Sequence, residues 1–570
     1  MKKINLLFLC LMLLPRFISG YVAPVWNFPC QTWQPTLNLK EEKHITVIIP
    51  SYKNADWYEY NLASVFAQKY SNYSVVYIDD CSSDNTAKLV QEYVIKQNQQ
   101  HRFTLIANQK RMGALSNIYR AVHATNPQSI IVTLDGDDWL AHYHVFTMLN
   151  EAYEDQNVWL TYGQFAIFPQ YVIGFCREIP KEVIDRNVYR HYLWSTSHLR
   201  TFYAWLFQEI KLADLMSNGI FYPMAWDLAF MYPMLEMSRG RFKFLPHVNY
   251  LYNIATPIND HKVNISLQTQ LGYEVGRKQK YSELSYPGVV RSKNDTVSLI
   301  IFSYNRPLQL YALLESIQKY MKGLESIAVL YRADSDRFAA AYDKVKSTFA
   351  TLSDAMTWQR QQNPPHDFKE LLLSLLDAQT SPYLMFAVDD NILKDAVDLH
   401  ICMKYMQCTK AYGFFLRLGE HITHCYSANS PNPVPIHVDL DDEICVWQFQ
   451  YGKYDWSYPH NVDMTLYRRA DIMPAIRSMP YNNPNIMESK WSTLGIDKTN
   501  IGLCFKNSKM VNVPMNVVNQ FWESRNMHSY TALQLLEKLE KNQKLDIEPL
   551  YQVRNNAAHM EYQFGFVPMG

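Results

Sequence analysis

Three carboxylates crowd into four residues at Asp135-Gly136-Asp137-Asp138, directly after the apolar run IIVTL. Adjacent carboxylates repel, so such a group is costly unless a positive charge sits among them. Oxygen-only ligands suit Mg2+ or Mn2+. A metal held there neutralises the charge of a departing diphosphate. A helix cap before Trp139 would employ one aspartate; three exceed that need. A second acidic pair, Asp79-Asp80, ends the run YSVVYI. A carboxylate in that position can accept a hydrogen bond from a base N–H or from ribose hydroxyls. Capping the next helix is the competing use, and Ser82 or Ser83 could serve it.

The layout occurs twice. Ile45–Tyr52 reads ITVIIPSY and Val297–Tyr304 reads VSLIIFSY, and amphipathic stretches follow from Leu62 and Leu314. Each copy then has a later apolar run closing on adjacent aspartates, Asp137-Asp138 and Asp389-Asp390. Tyr52 to Asp138 (138 − 52) and Tyr304 to Asp390 (390 − 304) both span 86 residues. Matching order, chemistry and spacing point to two copies of one domain.

The elements that must hold these residues are legible from periodicity. The first copy predicts strands at Ile45–Ile49, Tyr73–Ile78, Phe103–Ala107 and Ser129–Leu134. Helices are expected over Ala55–Tyr70, Thr86–Lys96 and Gly113–Val122. The second predicts strands at Val297–Phe302, Ser326–Tyr331 and Tyr383–Val388. Helices there start at Leu308 and Phe338, and one covers Asp367–Asp377. Strands alternating with helices form a mostly parallel sheet, which binds ligands at its carboxyl edge. Polar text over 276–295 marks a linker between domains at 43–275 and 296–570, with an irregular, Pro-rich lead-in at 21–42.

Bulk properties narrow the function. The 570 residues are 48% apolar, enough for two cores. Lys plus Arg and Asp plus Glu number 54 each, so nothing suggests a nucleic-acid surface. The 40 tyrosines read mainly as core, with a few as base- or sugar-stacking platforms. Lys2, Lys3 and the apolar stretch Ile4–Leu14, followed by Ile18-Ser19-Gly20, form a signal peptide over 1–20. An exported or lumenal location follows. An uncleaved membrane anchor is the alternative, although eleven apolar residues are too few to span a bilayer. No other segment predicts a stable membrane span. Of the nine cysteines, Cys10 leaves with the signal, and the rest read as disulfides or buried thiols. The spacing of Cys402, Cys408, His421, His424 and Cys425 fits no standard zinc module.

The segments ITVIIPSYKN, VVYIDDCSSDNT and VTLDGDDW, in that order over residues 45–140, resemble the family 2 inverting glycosyltransferases with the GT-A fold. The resemblance implies two tandem GT-A, Rossmann-like α/β domains and transfer of a sugar from a nucleotide diphosphate donor, a UDP-sugar, to a glycan or glycoprotein hydroxyl. It implies donor contacts from Tyr52, Asp79, Asp80, Asp135 and Asp137, and metal contacts from Asp137 and Asp138. Trp226-Asp227 is similar to the segment bearing the catalytic base. The stretch Tyr252-Asn253 through His261 is similar to the closing segment that supplies a metal-binding His. In the second half the likeness is fainter. Tyr304 would contact the donor, Asp389 and Asp390 a metal, and Glu488 would be the base. That half is either a further transferase or a copy that now binds acceptor. A non-catalytic glycan-binding protein on degenerate domains is the alternative for the whole chain. The intact first-half acids and Asp227 argue against it.

Overall fold

The structure, a computed structural model, describes residues 41–256, 264–285, 295–352, 356–516 and 530–569. The signal, almost all of the lead-in and His261 lie outside them. The chain divides into two units. One reaches Gln208 and resumes over Pro223–Val289; the other comprises Glu209–Tyr222 and the chain from Val290. The excursion at 209–222 interrupts the domain expected over 43–275. The expected linker also begins too early. The helix Ile265–Arg277 runs into it. Beyond it the Tyr281 and Leu284 amides bond to Glu236 Oε2 and the Met237 carbonyl, so this polar text packs against its own unit. Residues 286–294 lie outside the described set.

In the first unit, strands β1 (Ile45–Ser51), β2 (Tyr73–Asp79), β3 (Phe103–Ala107) and β4 (Ile130–Thr133) are parallel, in the order β3-β2-β1-β4. Every residue of β1 is buried, as a strand covered on both faces requires. Ile45, Val47 and Ile49 share one face. They pack with Leu62 and Val65 of the helix Tyr58–Phe66 and with Val90 and Val94 of the helix Thr86–Lys96. The helix Ala114–Ala124 also lies against β1.

The sheet continues through strands that periodicity did not reveal: β5 (Trp139–Leu140), β6 (Leu160–Phe168), β7 (Thr201–Tyr203) and β8 (Phe242–Asn253). β7 is antiparallel to β4 and β6. The long β8 runs parallel to β6 and antiparallel to β5. β8 thereby crosses behind the Asp135–Asp138 turn.

The second unit repeats the plan with β9 (Val297–Tyr304), β10 (Leu324–Arg332), β11 (Met356–Arg360), β12 (Tyr383–Val388), β13 (Asn391–Leu393), β14 (Gly413–Phe415), β15 (His437–Asp439), β16 (Ile444–Gln448), β17 (Thr465–Arg468), β18 (Ile501–Phe505) and β19 (Met510–Asn512). The sheet order is β11-β10-β9-β12-β17-β14-β18-β16-β15. The first four strands are again parallel, and β17 again follows antiparallel. The long β8 has become two strands. β18 pairs parallel with β14 and β19 antiparallel with β13. The two expected tandem α/β units are thus present, each with an antiparallel flank on its parallel half.

Equal counting from Tyr52 and Tyr304 does not give the true correspondence. Ile48 pairs with Thr133, whereas Ile300 pairs with Phe386. The Leu140 amide donates to Ser64 Oγ at 3.0 Å, and the Leu393 amide donates to Ser316 Oγ at 3.1 Å. Both relations make the second copy one residue longer. Asp389-Asp390-Asn391 therefore stands where Gly136-Asp137-Asp138 stands, and Val388 replaces Asp135.

Candidate functional site

The carboxyl ends of β1, β2 and β4 bring Tyr52, Asp79-Asp80 and Asp135–Asp138 to one edge of the first sheet. Asp84 serves the local capping role. Its Oδ1 accepts from the Thr86 amide and hydroxyl at 3.2 and 2.6 Å, and its Oδ2 accepts from the Ala55 amide at 3.2 Å. That leaves the acidic pair for other work, and its two members differ. The Asp80 carboxylate accepts from Asn108 Nδ2 and from the Met112 and Gly113 amides at 2.8–2.9 Å. It fixes the loop that lays the Arg111 guanidinium 3.9 Å from the Tyr52 ring centroid. Asp79 Oδ2 accepts from the Ser82 amide at 3.0 Å. Its Oδ1 is buried without a partner, and an acceptor left so is costly until a donor arrives.

The Asp135–Asp138 turn is gripped from inside. Asn61 Nδ2 donates to the carbonyls of Asp135 and Asp138 at 2.9 and 2.7 Å. The Tyr250 hydroxyl donates to Asp138 Oδ2 at 2.6 Å, and the Asn253 amide to Asp138 Oδ1 at 2.7 Å. Asp138 is 1% exposed, and both of its oxygens accept from β8; Asp135 and Asp137 stay partly exposed. Burial first, then the Asp137 and Asp135 charges, push the Asp138 carboxyl well above the usual range. Burial raises Asp135 as well, against the pull of Arg200. Burial, then Asp135 and Asp138, hold Tyr250 protonated. His198 stacks on Tyr250 at 4.3 Å, and burial lowers it well below its ordinary value.

This donor set fits a hard divalent cation: it is all oxygen, and short of positive charge. Among the described residues, however, the three acids do not bring ligand atoms together as Glu420, His437 and Asp439 do elsewhere. The protein would supply one or two carboxylates, and a diphosphate the remainder, as is usual for Mg2+.

Asp227, second residue of the helix Trp226–Ser238, accepts from Arg200 Nη1 at 3.2 Å. Arg200 is 2% exposed and Asp227 23%. Asp227 also raises Asp135 through its charge. The predicted base and acid turn therefore share one electrostatic site, with Arg200 between them. Arg200 lies in Ser197–Thr201, which resembles a family segment before the acceptor site, but nothing in that segment assigned it a role; Tyr250 and Arg111 carried no distinct signal, since their roles depend on pairing distant in sequence.

The second unit departs from expectation. Asp389 and Asp390, expected as metal ligands, both pair with Arg306. Arg306 Nη1 lies 3.0 Å from Asp389 Oδ1, and Ser303 Oγ donates to Asp389 Oδ2 at 2.8 Å. Arg306 also donates to the Asn516 carbonyl. Tyr304 keeps an arginine over its ring, Arg332 at 4.3 Å, and donates its hydroxyl to Asp334 at 2.6 Å. Glu488, in the helix Pro484–Thr493, is pushed up to about 8 by burial and then by Asp463, with Arg417 opposing. None of the described cysteines forms a disulfide.

Residues 46–174 match the sequence profile of Glycosyl transferase family 2. That segment is similar to the family 2 glycosyltransferases. The bifunctional glycosyltransferase pgtA of Dictyostelium discoideum is 25% identical over 199 residues, covering 32% of this chain and 25% of that protein. The poly-beta-1,6-N-acetyl-D-glucosamine synthase of Staphylococcus aureus strain MSSA476 is 31% identical over 104 residues, 18% of this chain and 24% of that one. The chain thus spans about a quarter of the length of these curated relatives. The solved Staphylococcus aureus TarS 1-349 in complex with UDP-GlcNAc aligns at a TM-score of 0.31 and 16% identity, over 41% of this chain and 64% of that one. The matched segment holds all of the Asp79–Asp138 acids; Arg200, Asp227 and Tyr250 lie beyond it. No helix among the described residues is long and apolar enough to cross a membrane.

Proposed function

We propose that the first unit transfers a sugar, with inversion, from a nucleotide diphosphate donor to a hydroxyl of a glycan or glycoprotein. The observation that carries this reading is the Arg200–Asp227 pair beside the acid turn. Tyr52 offers its ring to the base, and Asp79 Oδ1 accepts a base N–H. Asp80 acts one step removed, by setting the loop that carries Arg111. Asp137, with Asp135, would hold Mn2+ or Mg2+; Asp138 braces the turn. Such a metal, when bound, offsets the diphosphate charge as it leaves. His261 remains a proposed additional ligand. Asp227 takes the proton of the acceptor hydroxyl as that oxygen bonds to the sugar carbon and the bond to phosphate breaks. Arg200 orients the carboxylate for this. The exported or lumenal location is part of the same reading and rests on Lys2–Gly20 alone.

The test is a panel of UDP- and GDP-sugars with the full chain, in Mn2+ or in EDTA. One relative is an N-acetylglucosamine polymer synthase by name, so UDP-N-acetylhexosamines head the panel. Transfer in Mn2+ that stops in EDTA and in Asp137→Asn is the expected result. Full turnover in EDTA would overturn the metal assignment. No turnover of any donor by folded protein would overturn the activity.

A further inference from the structure

The second unit keeps the sheet of the first but changes the three positions on which donor binding depends. The register places Asp389 at Gly136. A Cβ built on Gly136 would meet Asn54 Nδ2 at 2.6 Å and Ser51 Oγ at 2.7 Å. In the second unit a side chain does project there, and it contacts the equivalents of those two residues. Asp389 bonds to Ser303 and to Arg306, which occupy the places of Ser51 and Asn54. A neutral amide has thus become a guanidinium that holds both Asp389 and Asp390.

The other two changes act in the same direction. Val388 replaces Asp135, removing one candidate ligand. Ser51 pairs with Asp79 and Ser303 with Tyr331, so the carboxylate with an unpartnered oxygen has become a tyrosine, ring-packed 4.4 Å from Tyr342.

We infer that Arg306 takes the place of the metal, and that the Asp389-Asp390 turn of the second unit binds neither a divalent cation nor a nucleotide diphosphate. A fixed guanidinium holds one oxygen of each acid through charge-assisted hydrogen bonds; Asp390 Oδ1 stays buried without a partner. An incoming cation would have to displace it into a buried, unpaired state. Fold continuity without the donor chemistry leaves the second unit a non-transferring role, and the chain one metal–nucleotide site. The count of one rests on the reading of the first unit; the exclusion at the second does not.

The experiment is Mn2+ and UDP titration of the full chain by calorimetry, with thermal melting alongside. Wild type is expected to bind one Mn2+ and one UDP, Asp137→Asn to lose the Mn2+, and Asp389→Asn/Asp390→Asn to keep one of each. A second Mn2+ or UDP that disappears in Asp389→Asn/Asp390→Asn overturns the inference. Loss of all binding in wild type instead defeats the reading of the first unit. Melting decides the second unit independently. Arg306→Met should lower Tm sharply or prevent folding, while Arg306→Lys, which keeps the charge, should restore a folded chain. An Arg306→Met protein as stable as wild type refutes the role of Arg306 as the built-in cation.

Discussion

Asp227→Asn separates chemistry from binding in the first unit. The substitution preserves shape, and its amide oxygen can still accept the 3.2 Å bond from Arg200 Nη1. What disappears is the negative charge and the site for a proton. Arg200 retains the nearby charge of Asp135. The structural loss is therefore one charge-assisted bond made neutral, about 1–2 kcal/mol. Loss of a positioned general base removes a factor on the order of 10² to 10⁴ in rate, equivalent to about 3–5 kcal/mol of barrier. The chemical effect thus exceeds the structural one. Nucleotide affinity should stay within a few-fold, because the hydrogen bond of Asp227 goes to Arg200 and not to Tyr52 or Asp79. The assay is UDP calorimetry beside initial rates of sugar transfer, with a thermal melt to verify folding. Transfer within tenfold of wild type would show that Asp227 is not the base. Loss of UDP binding in a folded variant would place Asp227 in the donor site and refute the division of roles.

Three further outcomes follow from particular contacts. Asp79→Ala should weaken UDP binding about ten- to hundredfold, the worth of a hydrogen bond to a charged group, since its Oδ1 is buried without a protein partner; unchanged affinity by calorimetry would refute the base contact. Arg190 grips Glu236 through two bonds of 2.6 and 2.9 Å with both side chains buried, so Arg190→Met should cost about 3–5 kcal/mol of stability in denaturant unfolding, and Arg190→Met/Glu236→Leu less than that. Glu488 has its folded pKa raised to about 8 from 4.5, so the folded chain holds a proton that the unfolded chain releases. Its contribution should be full below pH 4.5 and decline as pH rises towards 8. Glu488→Gln should flatten that slope in Tm measured against pH, and an unaltered slope would show the carboxyl ionises normally.

The sequence by itself determined the parallel half of the first sheet, three of the four parallel strands of the second (Met356–Arg360 was not expected), and the edge where the acids gather. A buried strand is written locally, in runs such as ITVIIPS and YLMFAV, and a helix in its own periodicity. The observed bounds of Thr86–Lys96, Phe103–Ala107 and Tyr383–Val388 match those runs. Resemblance to the base-bearing segment marked Asp227 as a candidate. It did not give β5 to β8, which are short or take their partners from far along the chain. Nor did it separate the roles of Asp79 and Asp80, or of Asp137 and Asp138, because identical side chains differ only by what packs behind them. β8 reaches Asp138 across 112 and 115 residues, through Tyr250 and Asn253. The single extra residue in the second copy was hidden by an equal count, and only strand pairing exposed it. Arg306 stood three residues after Ser303 in plain view, yet its meaning came from Asp389, 83 residues on. Local spacing encodes which acids reach the sheet edge, whereas the tertiary fold decides which of them are already neutralised by the protein and which still require a ligand.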